Sequence, residues 1–316
     1  MTNLSPTAIR RGEANRTSRG DDKLMSNDQP PLRPRLLLAD VDGTLVTREK
    51  KLTDRTVAAV KKLREQGIEF AVTSGRPPRG MQMLIEPLGL TTPLAAFNGG
   101  LFVKPDLSII SEQVLGREVV EPIVKIIEEH GLDVWIYRGN DWFVRERHGS
   151  HVDREEWTVK FPPQVVSSYD GVLDQVAKIV GVSDDLDAVA RCEQAVRAAF
   201  GPQVGTRQSN PQRHEGAGPI VTAARSQPYY LDVTHPEANK GSVVLTLAKM
   251  LNLRPEEIAS VGDMPNDIPM FAMGGLSIAM GQASDEVKGA AAESTTSSEE
   301  EGFANAVEKF ILQAGR

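Results

Sequence analysis

The stretch Leu36-Leu37-Leu38-Ala39-Asp40-Val41-Asp42-Gly43-Thr44 decides the fold. Its four leading apolar residues have no polar alternation and run straight into a turn, the pattern of a short strand buried on both faces. The chain around it keeps a matching rhythm. Thr53 to Gln66 sets Val57, Val60 and Leu63 at helical spacing, and Gly67 ends the run. Ile68 to Thr73 reads as a second buried strand and Arg79 to Leu88 as a helix, and Pro93 to Phe97 reads as a third strand before Asn98-Gly99-Gly100. Farther on, Lys240 to Leu251 predicts a helix, Ile258 to Val261 and Leu276 to Met280 predict strands, and Phe303, Val307, Phe310 and Ile311 stripe a last helix. Strands alternating with helices mean a parallel sheet with crossover helices. The predicted class is α/β, a Rossmann-like doubly wound parallel sheet.

The middle of the chain breaks that rhythm. Trp135 to Arg138 and Trp142 to Arg145, parted by Gly139-Asn140-Asp141, predict an antiparallel hairpin. Ala177 to Val182 predicts a further strand, Leu186 to Phe200 a helix, and Arg207 to Gly218 an exposed loop. The expected organisation is a disordered tail over 1–34, a core in two parts over 35–112 and 229–316, and an inserted α+β domain over 113–228. Within the tail, Met25 is an alternative start. Ala290 to Glu301 reads as low complexity on composition alone.

Composition narrows the functional classes. The 316 residues carry 36 Lys+Arg against 43 Asp+Glu, a net charge of -7 without the basic patch of a nucleic-acid binder. No apolar run approaches the ~18 residues of a membrane helix. The single cysteine, Cys192, excludes an internal disulfide and points to a reducing cytoplasm. A monomeric or oligomeric state does not follow from these numbers.

Chemistry gathers where the predicted strands end, the edge at which open α/β sheets bind ligands. Asp40 and Asp42 leave the first strand two residues apart, as a pair able to hold a hard Mg²⁺ ion and still leave an oxygen free to attack. Taken alone, Asp42-Gly43 reads equally as a turn. The second strand delivers Ser74, Gly75 and Arg76, a hydroxyl and free N–H groups of the kind that cradle phosphate or simply cap a helix. Lys240 opens a helix and would be either a surface charge or a fixed cation beside phosphate. Gly262-Asp263-Met264-Pro265-Asn266-Asp267 closes a further strand, with Asp263 able to add a third oxygen ligand.

In this order the four clusters resemble the motifs of the haloacid dehalogenase (HAD) superfamily of phosphohydrolases. Asn98-Gly99-Gly100 and the insertion resemble the subclass IIB cap of the Cof-like sugar phosphatases. The resemblance covers about 35–316 and implies a Mg²⁺-dependent phosphatase acting on a small phosphorylated metabolite, most readily a sugar phosphate. It implies Asp40 as nucleophile and Asp42 as the acid and base. Mg²⁺ would sit on Asp40, the Asp42 carbonyl and Asp263. The transferring phosphoryl group would be held by Ser74, Gly75, Lys240, Asn266 and the Val41 N–H, with Asp267 orienting Lys240 or a metal-bound water. Arg76, Asn98 and Gly99 are candidates for substrate contact. The family pattern also makes Ser294 to Thr296 a short strand. A phosphomutase of this fold, or a non-catalytic binding protein that keeps it, are the alternatives.

Of the 16 aromatic residues, ten fall in the insertion or just after it, all three tryptophans among them. Most are expected to fill a small core there, and some to face the mouth of the site. Arg138, Arg145, Arg147, His148 and His151 form a basic cluster that would be solvated surface or a grip on a second anion.

Overall fold

The computed structural model describes residues 33–201 and 220–313. The expected tail up to residue 32, with Met25, and the loop expected from Arg207 to Gly218 lie outside the described residues.

The strands in chain order are β1 (Leu36–Asp40), β2 (Glu69–Thr73), β3 (Leu94–Ala96), β4 (Leu101–Val103), β5 (Ile109–Glu112), β6 (Asp133–Arg138), β7 (Asp141–Val144), β8 (Gln164–Val165), β9 (Lys178–Val182), β10 (Thr222–Gln227), β11 (Tyr230–Thr234), β12 (Ile258–Gly262), β13 (Ser277–Ala279) and β14 (Glu293–Ser294). They form an eight-stranded sheet, ordered β14-β13-β12-β1-β2-β3-β4-β5, and a six-stranded sheet, ordered β10-β11-β9-β6-β7-β8.

All five residues of β1 are buried, because both faces of the first sheet are covered. Leu37 and Ala39 pack with Ala59, Val60 and Leu63 of α1 (Asp54–Glu65) and with Phe303 and Val307 near the C-terminus. Leu36 and Leu38, pointing the other way, meet Val243, Val244 and Leu247 of the helix that begins at Lys240. Burying one such leucine is worth about 1.5–3 kcal/mol, and the alternation gives each sheet face its share. Thr53 caps α1 by accepting the Thr56 N–H.

From β14 to β3 the first sheet is parallel, as expected; β4 and β5 extend it antiparallel. These two strands were not anticipated, since β4 is a three-residue apolar run directly after two glycines. The short strand expected over Ser294 to Thr296 is present as β14, shifted to Glu293–Ser294.

In the second sheet the predicted hairpin is β6–β7, with Ile136 opposite Phe143. Val134, Ile136, Ile179, Leu231 and Val233 face two helices of the sheet's outer core: α2 (Arg117–Glu129), which supplies Val120 and Ile123, and α3 (Leu186–Phe200), which supplies Val189 and Val196. The other face carries Trp135, Tyr137 and Val180, which join the apolar cluster of the first sheet. Strand β11 belongs to this second sheet, pairing with β9 and β10. It lies beyond the boundary expected at residue 228: a cut there would fall inside the β10–β11 hairpin, because the strand's polar and apolar alternation gave no sign of which sheet it joins. No helix among the described residues is long and apolar enough to cross a membrane.

Candidate active site

Parallel pairing brings the strand ends together. Asp40 stands beside Thr73 of β2, and Ala39 beside Val261 of β12, so the loops that start at Asp40, Ser74 and Asp263 leave one sheet edge. After Asp40 the chain turns sharply: the Val41 carbonyl accepts the N–H groups of Leu45 at 3.0 Å and Val46 at 3.1 Å. Gly43 takes φ +83° in this turn, and a methyl group there would lie 2.3 Å from Asp263 Oδ2. The glycine thus supplies both the left-handed turn and the room for a carboxylate.

Asn239 accepts the Ser242 N–H and so caps the helix Lys240–Met250, putting Lys240 in its first turn. The Lys240 Nζ lies 2.6 Å from Asp40 Oδ1 and 2.5 Å from Asp267 Oδ1, with all three side chains buried. Burial alone would lower the pKa of this ammonium, but the two carboxylates outweigh it and raise it. Burial pushes Asp40 up, and the neighbouring Asp267 and Asp263 add to that against the pull of Lys240. Asp267 uses its second oxygen to accept the N–H groups of Asp263 at 2.8 Å and Met264 at 2.9 Å. Both of its oxygens are therefore engaged within the protein.

Asp263 is different. Its Oδ2 accepts from the Gln282 side chain at 3.2 Å, while Oδ1 is buried with no hydrogen-bond partner among the described residues. Burial and then Asp267 raise its pKa to about 6. Oxygens of Asp40, Asp263 and Asp267 all lie within 4.8 Å of one another. A buried carboxylate oxygen without a donor, set among further carboxylates, is the donor set of a hard divalent cation. With both Asp267 oxygens occupied, Asp40 and Asp263 are the residues that fit direct ligation.

Asp42 faces the other way. Arg76 grips both of its oxygens at 2.7 Å, and Lys50 reaches Oδ1 at 2.6 Å. Burial raises this carboxyl, but the Arg76 hydrogen bonds and charge, followed by Lys50, bring it down to about 2. Arg76 is itself buried and is anchored by donating to the Gly80 carbonyl at 2.9 Å. Lys50 was not anticipated, as it sits in a polar loop that offers no motif.

Ser74 is buried; its carbonyl accepts the Asn98 N–H at 2.7 Å, and its hydroxyl accepts the Arg76 N–H at 3.2 Å. Phe97, Asn98 and Gly99 all take positive φ, an uncommon run for two non-glycine residues and the kind of local strain found at ligand sites. The Asn98 side-chain oxygen is buried without a hydrogen-bond partner among the described residues. Gly99 does not line the cavity: it packs toward Val243, where an added methyl would come within 2.8 Å.

Asp40, Asp42, Ser74, Gly75, Arg76, Asn98, Lys240 and Asn266 border one cavity of about 900 Å³ that continues to the second sheet. Val41, Asp263 and Asp267 lie outside its lining. Trp135 and the half-exposed Trp157 border it, whereas Trp142 is buried and stacks with Tyr137. The basic cluster does not border it. Arg138 donates to the Gly171 carbonyl, Arg145 pairs with Glu128, and Arg147 pairs with Asp153 and Glu156. These arginines are spent on their own neighbours, so a grip on a second anion by them finds no support.

The sequence profile of the haloacid dehalogenase-like hydrolases matches residues 37–307. The chain belongs to this family and is a hydrolase. Among its relatives is a putative phosphatase of Haemophilus influenzae, 27% identical over 274 residues, 86% of this chain and 97% of that one. The fold is shared with a haloacid dehalogenase-like hydrolase from Bacteroides thetaiotaomicron, at TM-score 0.75 and 24% identity over 88% of this chain and 99% of that one. A HAD subclass IIB sugar phosphatase aligns at TM-score 0.70 and 21% identity, covering 87% of this chain and 98% of its own. The kinship is with phosphatases of the family.

Proposed function

We propose that this hydrolase is a Mg²⁺-dependent phosphatase of small phosphorylated metabolites, sugar phosphates foremost, that works through an aspartyl-phosphate on Asp40. The observation that carries this reading is the meeting of Asp40, Lys240 and the unpartnered Asp263 oxygen at one sheet edge beside the cavity. Four carboxylates there, Asp40, Asp42, Asp263 and Asp267, face three cations, Lys50, Arg76 and Lys240. A dianionic phosphate would meet a net negative site, and unit charges ~4 Å apart repel by about 4 kcal/mol at an effective dielectric of 20. Asp40, Asp263 and the Asp42 carbonyl would hold Mg²⁺, which would supply the positive charge that offsets this repulsion.

The protein's own groups divide the remaining work. Lys240, Ser74, Gly75, Asn266 and the Val41 N–H hold the phosphoryl oxygens in line with Asp40. An Asp40 oxygen bonds to phosphorus as the bond to the leaving oxygen breaks, and Asp42 gives that oxygen a proton. Asp42 then takes a proton from water, which attacks the phosphorus and frees Asp40 and phosphate. The ionised state of Asp42 beside Arg76 and Lys50 suits the second half. For the first half, the incoming phosphate has to draw one of those cations away. Asp267, hydrogen-bonded on both oxygens, keeps Lys240 aimed at Asp40.

We read the second sheet with its helices as the cap that chooses the leaving group, and the single free cysteine suits a cytoplasmic setting. The test is hydrolysis of p-nitrophenyl phosphate with Mg²⁺, with EDTA and in Asp40→Asn. Release of phosphate that needs the metal and vanishes in the variant is expected. Turnover in Asp40→Asn above about a tenth of wild type would remove Asp40 from the nucleophile's role.

A further inference from the structure

One face of the second sheet lines the cavity that Asp40 also borders. Strand alternation puts Trp135, Tyr137, Lys178, Val180, Tyr230 and Asp232 on that face. The pairing register sets five of them in two rows: Tyr137 beside Lys178, and Trp135 beside Val180, which lies beside Asp232. Trp135 and Tyr230 meet edge to face, with ring centres 5.2 Å apart.

The polar groups of this wall are unevenly matched. Its ammonium, Lys178 Nζ, lies 3.5 Å from Asp232 Oδ2 and 4.9 Å from the centre of the Tyr137 ring. The Tyr137 hydroxyl donates to Glu155 at 2.6 Å, bringing a second carboxylate to the cavity. Asp232 Oδ1 and the Tyr230 hydroxyl are both buried without a hydrogen-bond partner among the described residues. Leaving such a group unmatched is unfavourable, so each is a place where a ligand gains by supplying what is missing. What Asp232 lacks is a donor. A second phosphate or carboxylate would bring it only more acceptors and more negative charge. Arg48, Arg154 and Arg225 also border the cavity, but all three are exposed, and Arg225 is paired with Glu193 at 2.9 Å.

We propose that Asp232 and Tyr230 are the specificity-determining residues of this wall, and that they favour a leaving group bearing amino or hydroxyl donors while rejecting one that carries a second anionic group. Asp232 accepts the donor, Tyr230 completes the pair, and Lys178 holds Asp232 in place. The inference rests on the phosphatase reading and adds to it the chemistry of the group released.

The experiment compares kcat/KM for p-nitrophenyl phosphate, glucosamine 6-phosphate and 3-phosphoglycerate with Mg²⁺, in wild type, Asp232→Asn and Tyr230→Phe. Wild type should prefer glucosamine 6-phosphate to 3-phosphoglycerate by about tenfold or more, the scale of one charge-assisted hydrogen bond. Asp232→Asn should lower the ratio of glucosamine 6-phosphate to p-nitrophenyl phosphate turnover by about tenfold, and Tyr230→Phe should lower it less. Equal or better use of 3-phosphoglycerate by wild type would overturn the proposal and move selectivity to Arg154. An unchanged ratio in both variants would overturn it too. If Asp232→Asn does not fold, Tyr230→Phe and the wild-type ranking still decide. No hydrolysis of p-nitrophenyl phosphate by wild type is the separate failure of the phosphatase reading itself.

Discussion

Arg76 holds Asp42 through two parallel hydrogen bonds, Nε to Oδ2 and Nη2 to Oδ1, each 2.7 Å long. This forked contact fixes the direction of the carboxylate as well as its charge, which a lysine at the same position cannot do. Arg76→Lys should therefore keep the fold and lower kcat on p-nitrophenyl phosphate by about 10- to 100-fold, the range for losing a partner that orients a functional group. Steady-state kinetics with a matched circular dichroism spectrum check this. An unchanged kcat would mean that Lys50 alone orients Asp42.

Lys240 is the counter-ion of a buried carboxylate cluster, so its loss should be felt in stability before catalysis is considered. Removing one partner of a buried pair typically costs about 3–5 kcal/mol, because the remaining charges stay uncompensated. Lys240→Met should unfold at clearly lower urea concentration than wild type, and Mg²⁺ should restore part of the difference by shielding Asp40. Equal midpoints would mean that the carboxylates take up protons at no cost.

Gly43→Ala tests the room left for Asp263. The added methyl would sit 2.3 Å from Asp263 Oδ2, on a backbone at φ +83° that disfavours any side chain. Asp263 has to move, and Mn²⁺ affinity measured by titration calorimetry should fall about tenfold or more, as for disturbed metal surroundings. Retained affinity would remove Asp263 from the ligand set.

The pH dependence has a definite sign. Asp263 is raised to about 6 from an ordinary 3.8, and Asp40 is raised as well. A carboxyl whose folded pKa is raised leaves the metal-free protein unpenalised below pH ~4 and costs it stability as pH climbs through about 6, where the buried acid has to ionise. Divalent ions bind the ionised form, so they oppose that loss. The rise in melting temperature on adding Mg²⁺ should be small at pH 5 and grow through pH 6 to a plateau above 7. A rise independent of pH would mean that these two carboxyls are not the ligands.

Much of the first sheet is legible in the chain because β1, β2 and β12 are buried on both faces and show as plain apolar runs. Their ends carry Asp40, Ser74 and Asp263, and parallel pairing alone then brings the three to one edge. What escaped notice has physical causes. Strand β4 is only three residues long, and β11 could not be assigned to a sheet without knowing its partners. Lys50 reaches Asp42 from a loop whose composition is that of any exposed turn. The cavity wall was hidden most fully: Glu155, Lys178, Tyr230 and Asp232 come from a helix and two strands, and no spacing in the sequence connects them. The basic run from Arg138 to His151 lies outside the cavity lining, as its reading as surface charge expects, and clustering along the chain does not by itself say which face a residue takes.

The alternation of β9 and β11 carries a consequence for how such an enzyme can change. Ile179, Leu231 and Val233 turn to the outer core, and Lys178, Val180, Tyr230 and Asp232 turn to the cavity. Neighbours in the chain thus answer to different demands, one to packing and the next to the ligand. Replacing an inward residue leaves its outward neighbours seated on their helices. New selectivities are therefore within reach by single steps that do not first have to rebuild the scaffold.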